Sequence, residues 1–280
     1  MPELPEVELT RRHLHGAMAG RVLADVRTSH PRTARHNRGG PAEVDSRLTG
    51  RRVLEVGRKG KFLVAPLDDD QTLIAHLGMS GRFSVGNAHD GEPTHTHFRA
   101  TLDDGREVRF IDPRTFGFVG VFTDDEMADS GFSRLGPDAW EAMPDLKGLA
   151  RALANRTAPI KALLLDQGVV SGLGNIYADE ALHIAGIHPT RPGGEITDEE
   201  LGRLLSAVGS VLAIAIDNGG TSLDDLAYLL PDGRAGENLE RLLVYGRDEL
   251  PCLTCGTPIA RVVIRSRSSH FCPNCQPGPR

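Results

Sequence analysis

Cys252-Leu253-Thr254-Cys255 and Cys272-Pro273-Asn274-Cys275, separated by sixteen residues, hold every cysteine of the chain. Two Cys-x2-Cys pairs at this distance put four thiolates on two tight knuckles that can converge on the tetrahedral geometry zinc favours. Gly256 and Pro273 suit the knuckle turns. The competing arrangements are two disulfides or unconnected thiols, but with no secretion signal and no other cysteine the spacing predicts one zinc ion. Four protein ligands leave no open coordination position, so that zinc is structural. It would clamp a hairpin from 257 to 271 along which Arg261, Arg265 and Arg267 suit phosphate contact. A zinc ribbon binds protein as readily as nucleic acid, so the finger alone leaves the partner open.

Outward from the finger, helical periodicity dominates the preceding stretch, at 146–154, 160–167, 176–185, 198–216 and, more briefly, 222–229. Between the second and third of these lies Gly168-Val169-Val170-Ser171-Gly172-Leu173-Gly174-Asn175, a glycine-rich double turn. Earlier, from 21 to 123, short alternating segments take over, at 22–26, 53–66, 73–77, 98–102 and 108–111. Asp103-Asp104-Gly105 reads as the turn of a β-hairpin. At the start, Val7, Leu9, Leu14, Ala17 and Met18 recur at roughly helical spacing up to Gly20. The expected fold is α+β and multidomain. Residues 1–123 form a β-sandwich with an N-terminal helix, 124–145 a linker marked by Gly136, Pro137 and Pro144, 146–230 a helical domain, 231–250 a connection, and 251–280 the zinc finger.

The 280 residues are 39% hydrophobic and 25% charged, ordinary for a soluble globular protein. No apolar run approaches the roughly 20 residues that cross a bilayer, and an N-terminus carrying Glu3, Glu6 and Glu8 lacks a signal-peptide layout. The expected compartment is the cytoplasm, with no membrane partner. A net charge of -6 weighs against a polyanionic partner, since nucleic-acid affinity rests on Lys and Arg. Distribution matters more than the sum: residues 251–280 carry four arginines and no acid, and Arg51, Arg52, Arg58, Lys59 and Lys61 form a second basic cluster. Such clusters are more often solvated surface than binding faces.

Met1-Pro2-Glu3-Leu4-Pro5-Glu6 is the chemically informative stretch. A small second residue favours removal of Met1, which would leave Pro2 with a free secondary amine. An α-amino group titrates near about 7.7–8.0, against about 10.4 for lysine, so much more of it is neutral and nucleophilic. Such an amine can attack C1′ of a sugar and form a protonated imine, which acidifies the C2′ hydrogen. Glu3 stands beside it for acid/base work, and Glu6, one helical turn on, can buttress Glu3. The same residues also make a good helix start, with proline in the first turn and acids near the N-terminus. Chemistry alone leaves both readings open.

The N-terminal stretch and the finger together resemble the formamidopyrimidine-DNA glycosylase and endonuclease VIII family, most closely the formamidopyrimidine-DNA glycosylases. The likeness runs through Gly60-Lys61-Phe62-Leu63, His76-Leu77-Gly78-Met79-Ser80-Gly81, Asp112-Pro113-Arg114-Thr115-Phe116-Gly117, Gly172-Leu173-Gly174-Asn175, Ile176-Tyr177-Ala178-Asp179-Glu180, Gly219-Gly220-Thr221-Ser222, Val244-Tyr245-Gly246-Arg247 and Arg267-Ser268-Ser269-His270-Phe271-Cys272. The resemblance implies a monomeric base-excision-repair enzyme of the bacterial cytoplasm and nucleoid, acting on damaged double-stranded DNA in a cleft. It would release oxidised or ring-opened purines and nick the backbone by β,δ-elimination, with zinc as its one cofactor. Pro2 matches the imine-forming nucleophile, Glu3 the catalytic carboxylate, Lys61 the lysine assisting β-elimination, and Arg267 the residue of δ-elimination and phosphate binding. Met79, Arg114 and Phe116 match the side chains inserted where a nucleotide is everted. His95 matches a DNA-binding histidine; Asn175 and Lys161 belong to the helix-two-turn-helix element that grips a phosphate, where glycines allow close approach to a helix N-terminus.

Two departures bear on substrate. Where the family's lesion-recognition loop usually reads Gly-Tyr-Phe, this chain has Gly236-Glu237-Asn238, and a phosphate-contacting basic position falls on Thr157, beside Arg156. The rival readings are an oxidised-pyrimidine glycosylase of endonuclease VIII type, favoured by the missing aromatics, and a non-catalytic lesion-binding protein. A zinc-ribbon scaffold would leave the N-terminus unexplained.

Overall fold

A computed structural model describes residues 2–223 and 228–278. The chain divides into two compact units, Met1–Ser133 with Ile216–Leu239, and Arg134–Ala215 with Glu240–Arg280.

The first unit opens with helix α1, Leu4–Met18, whose Leu4, Val7, Leu14 and Met18 are buried on one stripe. Strand β1, Leu23–Thr28, and helix α2, Gly40–Leu48, follow, then strands β2 Gly57–Lys59, β3 Phe62–Pro66, β4 Gln71–His76, β5 Arg82–Asn87, β6 Thr96–Leu102, β7 Arg106–Ile111 and β8 Phe118–Thr123. They form two four-stranded antiparallel sheets, ordered β1-β6-β7-β5 and β2-β3-β4-β8. Alternation sends Val26, Phe98, Ala100 and Phe110 from one sheet, and Leu63, Ala65, Ala75 and Val121 from the other, into a core shared with α1 and α2. Burying each such large side chain stabilises the sandwich by roughly 1.5–3 kcal/mol, which fixes the start of α1 as part of the core.

The hairpin expected around Asp103-Asp104-Gly105 is β6–β7, with Phe98 opposite Phe110 and Gly105 at φ +85°. The single strand expected at 53–66 is instead the β2–β3 hairpin, folded at Gly60 (φ +58°) so that Lys61 stands at its turn. Helix α2 escaped the periodicity because only Val44 and Leu48 of its nine residues are buried. Strands β5 and β8 likewise lie outside the alternating segments of the sequence. Within 124–145, Asp124–Ala128 forms helix α3, started by a reciprocal Thr123–Glu126 capping box.

The second unit carries helices α4 Leu146–Leu153, α5 Ile160–Leu164, α6 Asn175–Ala185 and most of α7 Asp198–Asp217, then the hairpin of β9 Ala260–Ile264 and β10 Arg267–Phe271. Helix α5 ends before Gln167 because that side chain serves the double turn: its amide nitrogen donates to the carbonyls of Leu165 and Leu173, and its oxygen accepts Gly172 N–H. The short helix expected at 222–229 includes 224–227, outside the described residues. Among the described residues no helix is long and apolar enough to cross a membrane.

Candidate functional site

At the head of α1, Pro2 and Glu3 are buried, Glu3 at 1% exposure. The Glu3 N–H donates to Glu6 Oε2 at 2.8 Å, the reach-back of a capping box. The second oxygen of Glu6 accepts the Thr221 N–H, also at 2.8 Å. One carboxylate therefore holds both the peptide after Pro2 and the Gly219-Gly220-Thr221 turn. Gly220 sits at φ +81°, and a β-carbon there would meet Glu6 Oε1 at 3.0 Å and the Tyr228 ring at 3.1 Å. Burial, then the Glu6 charge, pushes the Tyr228 phenol well above its ordinary range.

Lys61 is 8% exposed at the head of β3. Its neighbour Phe62 pairs across the sheet with His76, the rings 4.8 Å apart. Loss of hydration, then the positive charge of Lys61, pushes His76 down to about 4, so the imidazole is neutral at physiological pH.

Met79, Arg114 and Phe116 come together on two loops of this unit. The loops touch at Gly78, where a β-carbon would lie 2.4 Å from Gly117 N and 2.5 Å from Phe116 C. Asp112, wholly buried, ties them: it accepts Ser80 Oγ–H at 2.6 Å and Gly117 N–H at 2.7 Å, and its own N–H donates to the His95 carbonyl at 3.0 Å. Arg35 donates to the carbonyls of Phe116 and Gly117 from outside. The result displays an exposed Arg114 whose guanidinium lies 4.8 Å over the Phe116 ring, itself 39% exposed, with Met79 half-buried and His95 exposed. Thr115 (φ 53°) and His95 (φ 65°) hold left-handed backbone without glycine, strain that such a fixed loop can retain.

In the second unit, Asn175 begins α6, its side-chain oxygen buried without a hydrogen-bond partner among the described residues. Lys161 is fully buried: its ammonium lies 2.7 Å from Asp179 Oδ1 and donates to the Ser268 carbonyl at 2.6 Å. Lys161, expected as a basic residue of the phosphate-gripping region, joins the helical element to β10 in this structure. Asp179 completes the join by accepting the His270 N–H. Arg267 stands exposed at the start of β10, after a turn in which Arg265 and Ser266 take φ 44° and 64°.

The four cysteine sulfurs lie within 4.8 Å of one another. Tetrahedral zinc with bonds of about 2.3 Å requires sulfurs roughly 3.8 Å apart. The observed Cys252–Cys275, Cys255–Cys272 and Cys255–Cys275 separations are 4.0, 3.4 and 3.6 Å. The donor set fits one structural zinc. Gln276, fully buried, fastens the knuckle to the helices by accepting Cys272 N–H and donating to the Ile187 carbonyl.

The basic cluster at 51–61 is not one exposed face. Arg51 pairs with Asp69, Arg58 is buried against Glu8, and Lys61 is buried. Conversely, the structure gives Asp112, Arg35 and Glu180 positioning roles that sequence reasoning does not reach. Glu180, pushed up by burial, accepts the N–H groups of Leu243, Val244 and Tyr245. The signal that could have found Asp112 and Glu180 was their place inside the quoted motifs.

Comparison with known proteins agrees with this arrangement. A formamidopyrimidine-DNA glycosylase of Nocardia farcinica is 42% identical over 293 aligned positions, covering 100% of this chain and 99% of that protein. One of Thermus thermophilus is 45% identical over 278, covering 99% and 98%. The chain belongs to the formamidopyrimidine-DNA glycosylase family. The family models match as the formamidopyrimidine-DNA glycosylase N-terminal domain over residues 1–119, its H2TH domain over 135–226, and the zinc finger found in FPG and IleRS over 249–278. Among solved formamidopyrimidine-DNA glycosylases, the MutM (Fpg) protein of Thermus thermophilus superposes with a TM-score of 0.88 at 42% identity, covering 99% of this chain and 100% of that one. The Lactococcus lactis Fpg, solved in complex with abasic-site DNA, superposes at 0.89 with 31% identity and the same coverage. The fold is thus the expected one, a β-sandwich with an N-terminal helix followed by a helix-two-turn-helix region and a four-cysteine zinc finger.

Proposed function

We infer that the protein is a bifunctional base-excision-repair DNA glycosylase and AP lyase, acting as a monomer in the bacterial cytoplasm on oxidised or ring-opened purines in duplex DNA. Residues 1–123 supply the chemistry, 124–145 a linker, 146–230 the helical DNA grip, 231–250 the lesion-recognition loop and connection, and 251–280 the finger. The observation that carries this reading is the Glu6 carboxylate bound to the Glu3 and Thr221 amides, which holds the residue after Pro2 in one orientation inside a buried site. The first Glu6 oxygen satisfies the helix start, and the second ties it to a turn 215 residues away.

With Met1 removed, the Pro2 lone pair forms a bond to C1′ as the glycosidic bond breaks and its electron pair leaves with the base. The N–H proton of the resulting ammonium passes to the departing base, Glu3 delivers a proton to the sugar ring oxygen as the C1′–O4′ bond breaks, and the nitrogen lone pair closes a positively charged imine. Loss of the C2′ proton, assisted by Lys61, expels the 3′ phosphate. Loss of the C4′ proton drives a second elimination, with Arg267 on the departing phosphate, that expels the 5′ phosphate, and water then hydrolyses the imine to release Pro2. Met79, Arg114 and Phe116 replace the lost stacking when the nucleotide is everted, and Arg114 can hydrogen-bond the orphaned base. His95, Asn175 and Arg267 contact the backbone, while Lys161 supports that grip from inside. The zinc, held by Cys252, Cys255, Cys272 and Cys275, keeps the hairpin folded and takes no part in bond breaking.

Borohydride trapping on abasic duplex tests the assignment. The parent protein should be captured covalently, and Pro2→Gly should lose capture and nicking; equal trapping by both removes Pro2 from the mechanism. Nicking should persist in excess EDTA as long as the zinc is retained. An oxidised-pyrimidine specificity is the second reading, because Glu237 and Asn238 stand where aromatics are usual. Base release from duplexes bearing 8-oxoguanine, formamidopyrimidine or thymine glycol decides between the two.

A further inference from the structure

Asn238 departs from the family pattern, yet it is 3% exposed and fully engaged in the first unit. Its side-chain Nδ2 donates to Thr221 Oγ1 at 2.9 Å, and its backbone N–H to the Gly220 carbonyl at 3.1 Å. On the same segment Glu237 N–H donates to the Asn218 carbonyl, and Gly236 N–H to Ser222 Oγ at 2.8 Å. Gly236 is closed to any side chain, since a β-carbon would lie 2.2 Å from the Gly220 carbonyl oxygen. Segment 236–238 is therefore latched onto the turn that binds Glu6. A phenylalanine at 238 has no donor for the Thr221 hydroxyl.

We propose that Asn238 is a positioning residue for imine formation: through Thr221 and Glu6 it orients the Pro2–Glu3 peptide, and with it the attacking amine. The chain runs from Asn238 Nδ2 to Thr221 Oγ1, from Thr221 N–H to Glu6 Oε1, and from Glu6 Oε2 to Glu3 N–H. Thr221 and Glu6 are 4% and 1% exposed, so water offers little competition along it. Both links to Glu6 are charge-assisted, which makes the turn sensitive to how Thr221 is held. Segment 236–238 and the nucleophile are then set in place together.

This inference rests on Pro2 being the nucleophile, and a double-mutant cycle tests it separately. Asn238→Leu, Thr221→Val and the double variant are compared in single-turnover borohydride trapping on abasic duplex, with duplex Kd measured by anisotropy. Each single variant should trap about tenfold more slowly, the scale of one lost buried hydrogen bond, with Kd within about twofold of the parent. The double variant should be no slower than the slower single, and Thr221→Ser should restore the parent rate. Additive effects, or a change confined to Kd, overturn the proposal. If Asn238→Leu does not fold, Thr221→Val against Thr221→Ser still decides, since equal rates for those two refute it. Pro2→Gly is run alongside: normal trapping there defeats the Pro2 reading, whereas a dead Pro2→Gly beside an unaffected Asn238→Leu defeats this proposal alone.

Discussion

Glu6 and Thr221, 215 residues apart in the chain, meet through a carboxylate oxygen and an amide nitrogen 2.8 Å apart. An acid in the first turn of a helix ordinarily serves the helix dipole and the free amides there. Glu6 does this with one oxygen and uses the other to bring a distant glycine turn to the head of α1. Both oxygens face N–H donors, so the site requires an acceptor on each side.

Glu6→Gln tests that requirement. A glutamine satisfies one amide with its oxygen and turns an NH2 group toward the other, leaving two donors facing one another in a buried site. Expected losses are about 1–3 kcal/mol of stability in urea denaturation, together with a trapping rate reduced by roughly tenfold or more. Parent-like stability and trapping would show that the second anchor is dispensable.

Asp112 organises the loops that carry Met79, Arg114 and Phe116. In Asp112→Ala the Ser80 hydroxyl and Gly117 N–H lose their acceptor, and the two loops lose their common tie. Duplex affinity should fall by roughly ten- to a hundredfold, equivalent to about 1.4–2.8 kcal/mol. Imine trapping at saturating DNA should change much less. Anisotropy titration and trapping on the same abasic duplex separate the two effects.

What could be read from the sequence was what is local: cysteine spacing, the Asp103–Gly105 hairpin, the helices around the double turn and the apolar stripe of α1. The Lys61 hairpin was misread as one strand because Gly60 interrupts an otherwise continuous alternation, and α2 was missed because two apolar residues make no stripe. The burial of Lys161 was not legible, since it depends on Asp179, eighteen positions away, and on β10 far beyond it. The same holds for Asp112 and for Asn238, whose partners lie on other elements. Charge clusters misled for the converse reason: Arg58 and Lys61 are close in sequence to exposed Arg52 but face inward.

Lys161 and Asp179 form a buried ion pair, so the two single variants should behave unlike the double. Lys161→Met leaves an uncompensated carboxylate inside and should cost about 3–5 kcal/mol in urea denaturation. Replacing both, as Lys161→Met with Asp179→Leu, should recover part of that loss, although the amide of His270 then lacks its acceptor. A fully additive pair would mean that the charges do not interact.

The zinc should be required for the finger and for its hold on the helices, not for bond breaking. Cys272→Ser removes one ligand and should abolish stoichiometric zinc in metal analysis. With the knuckle loosened, Arg267 loses its fixed hairpin, and duplex affinity should fall steeply at physiological salt. Normal zinc content with normal affinity would contradict the tetrahedral assignment.

The His76 imidazole gives the stability a pH signature. Its folded value is about 4 against an ordinary 6.5, held down first by loss of hydration and then by Lys61, Arg35 and His36. Between those values the unfolded chain binds a proton that the folded protein refuses, so the unfolded state gains as pH falls. The contribution of His76 is fully present above about 6.5 and is lost progressively down to about 4, with a slope of at most about 1.4 kcal/mol per pH unit. His76→Gln cannot take up that proton, so its stability should depend less on pH across the same window. Urea denaturation of both proteins at a series of pH values measures the difference, and parallel profiles would mean that His76 titrates in the folded protein as it does in the unfolded chain.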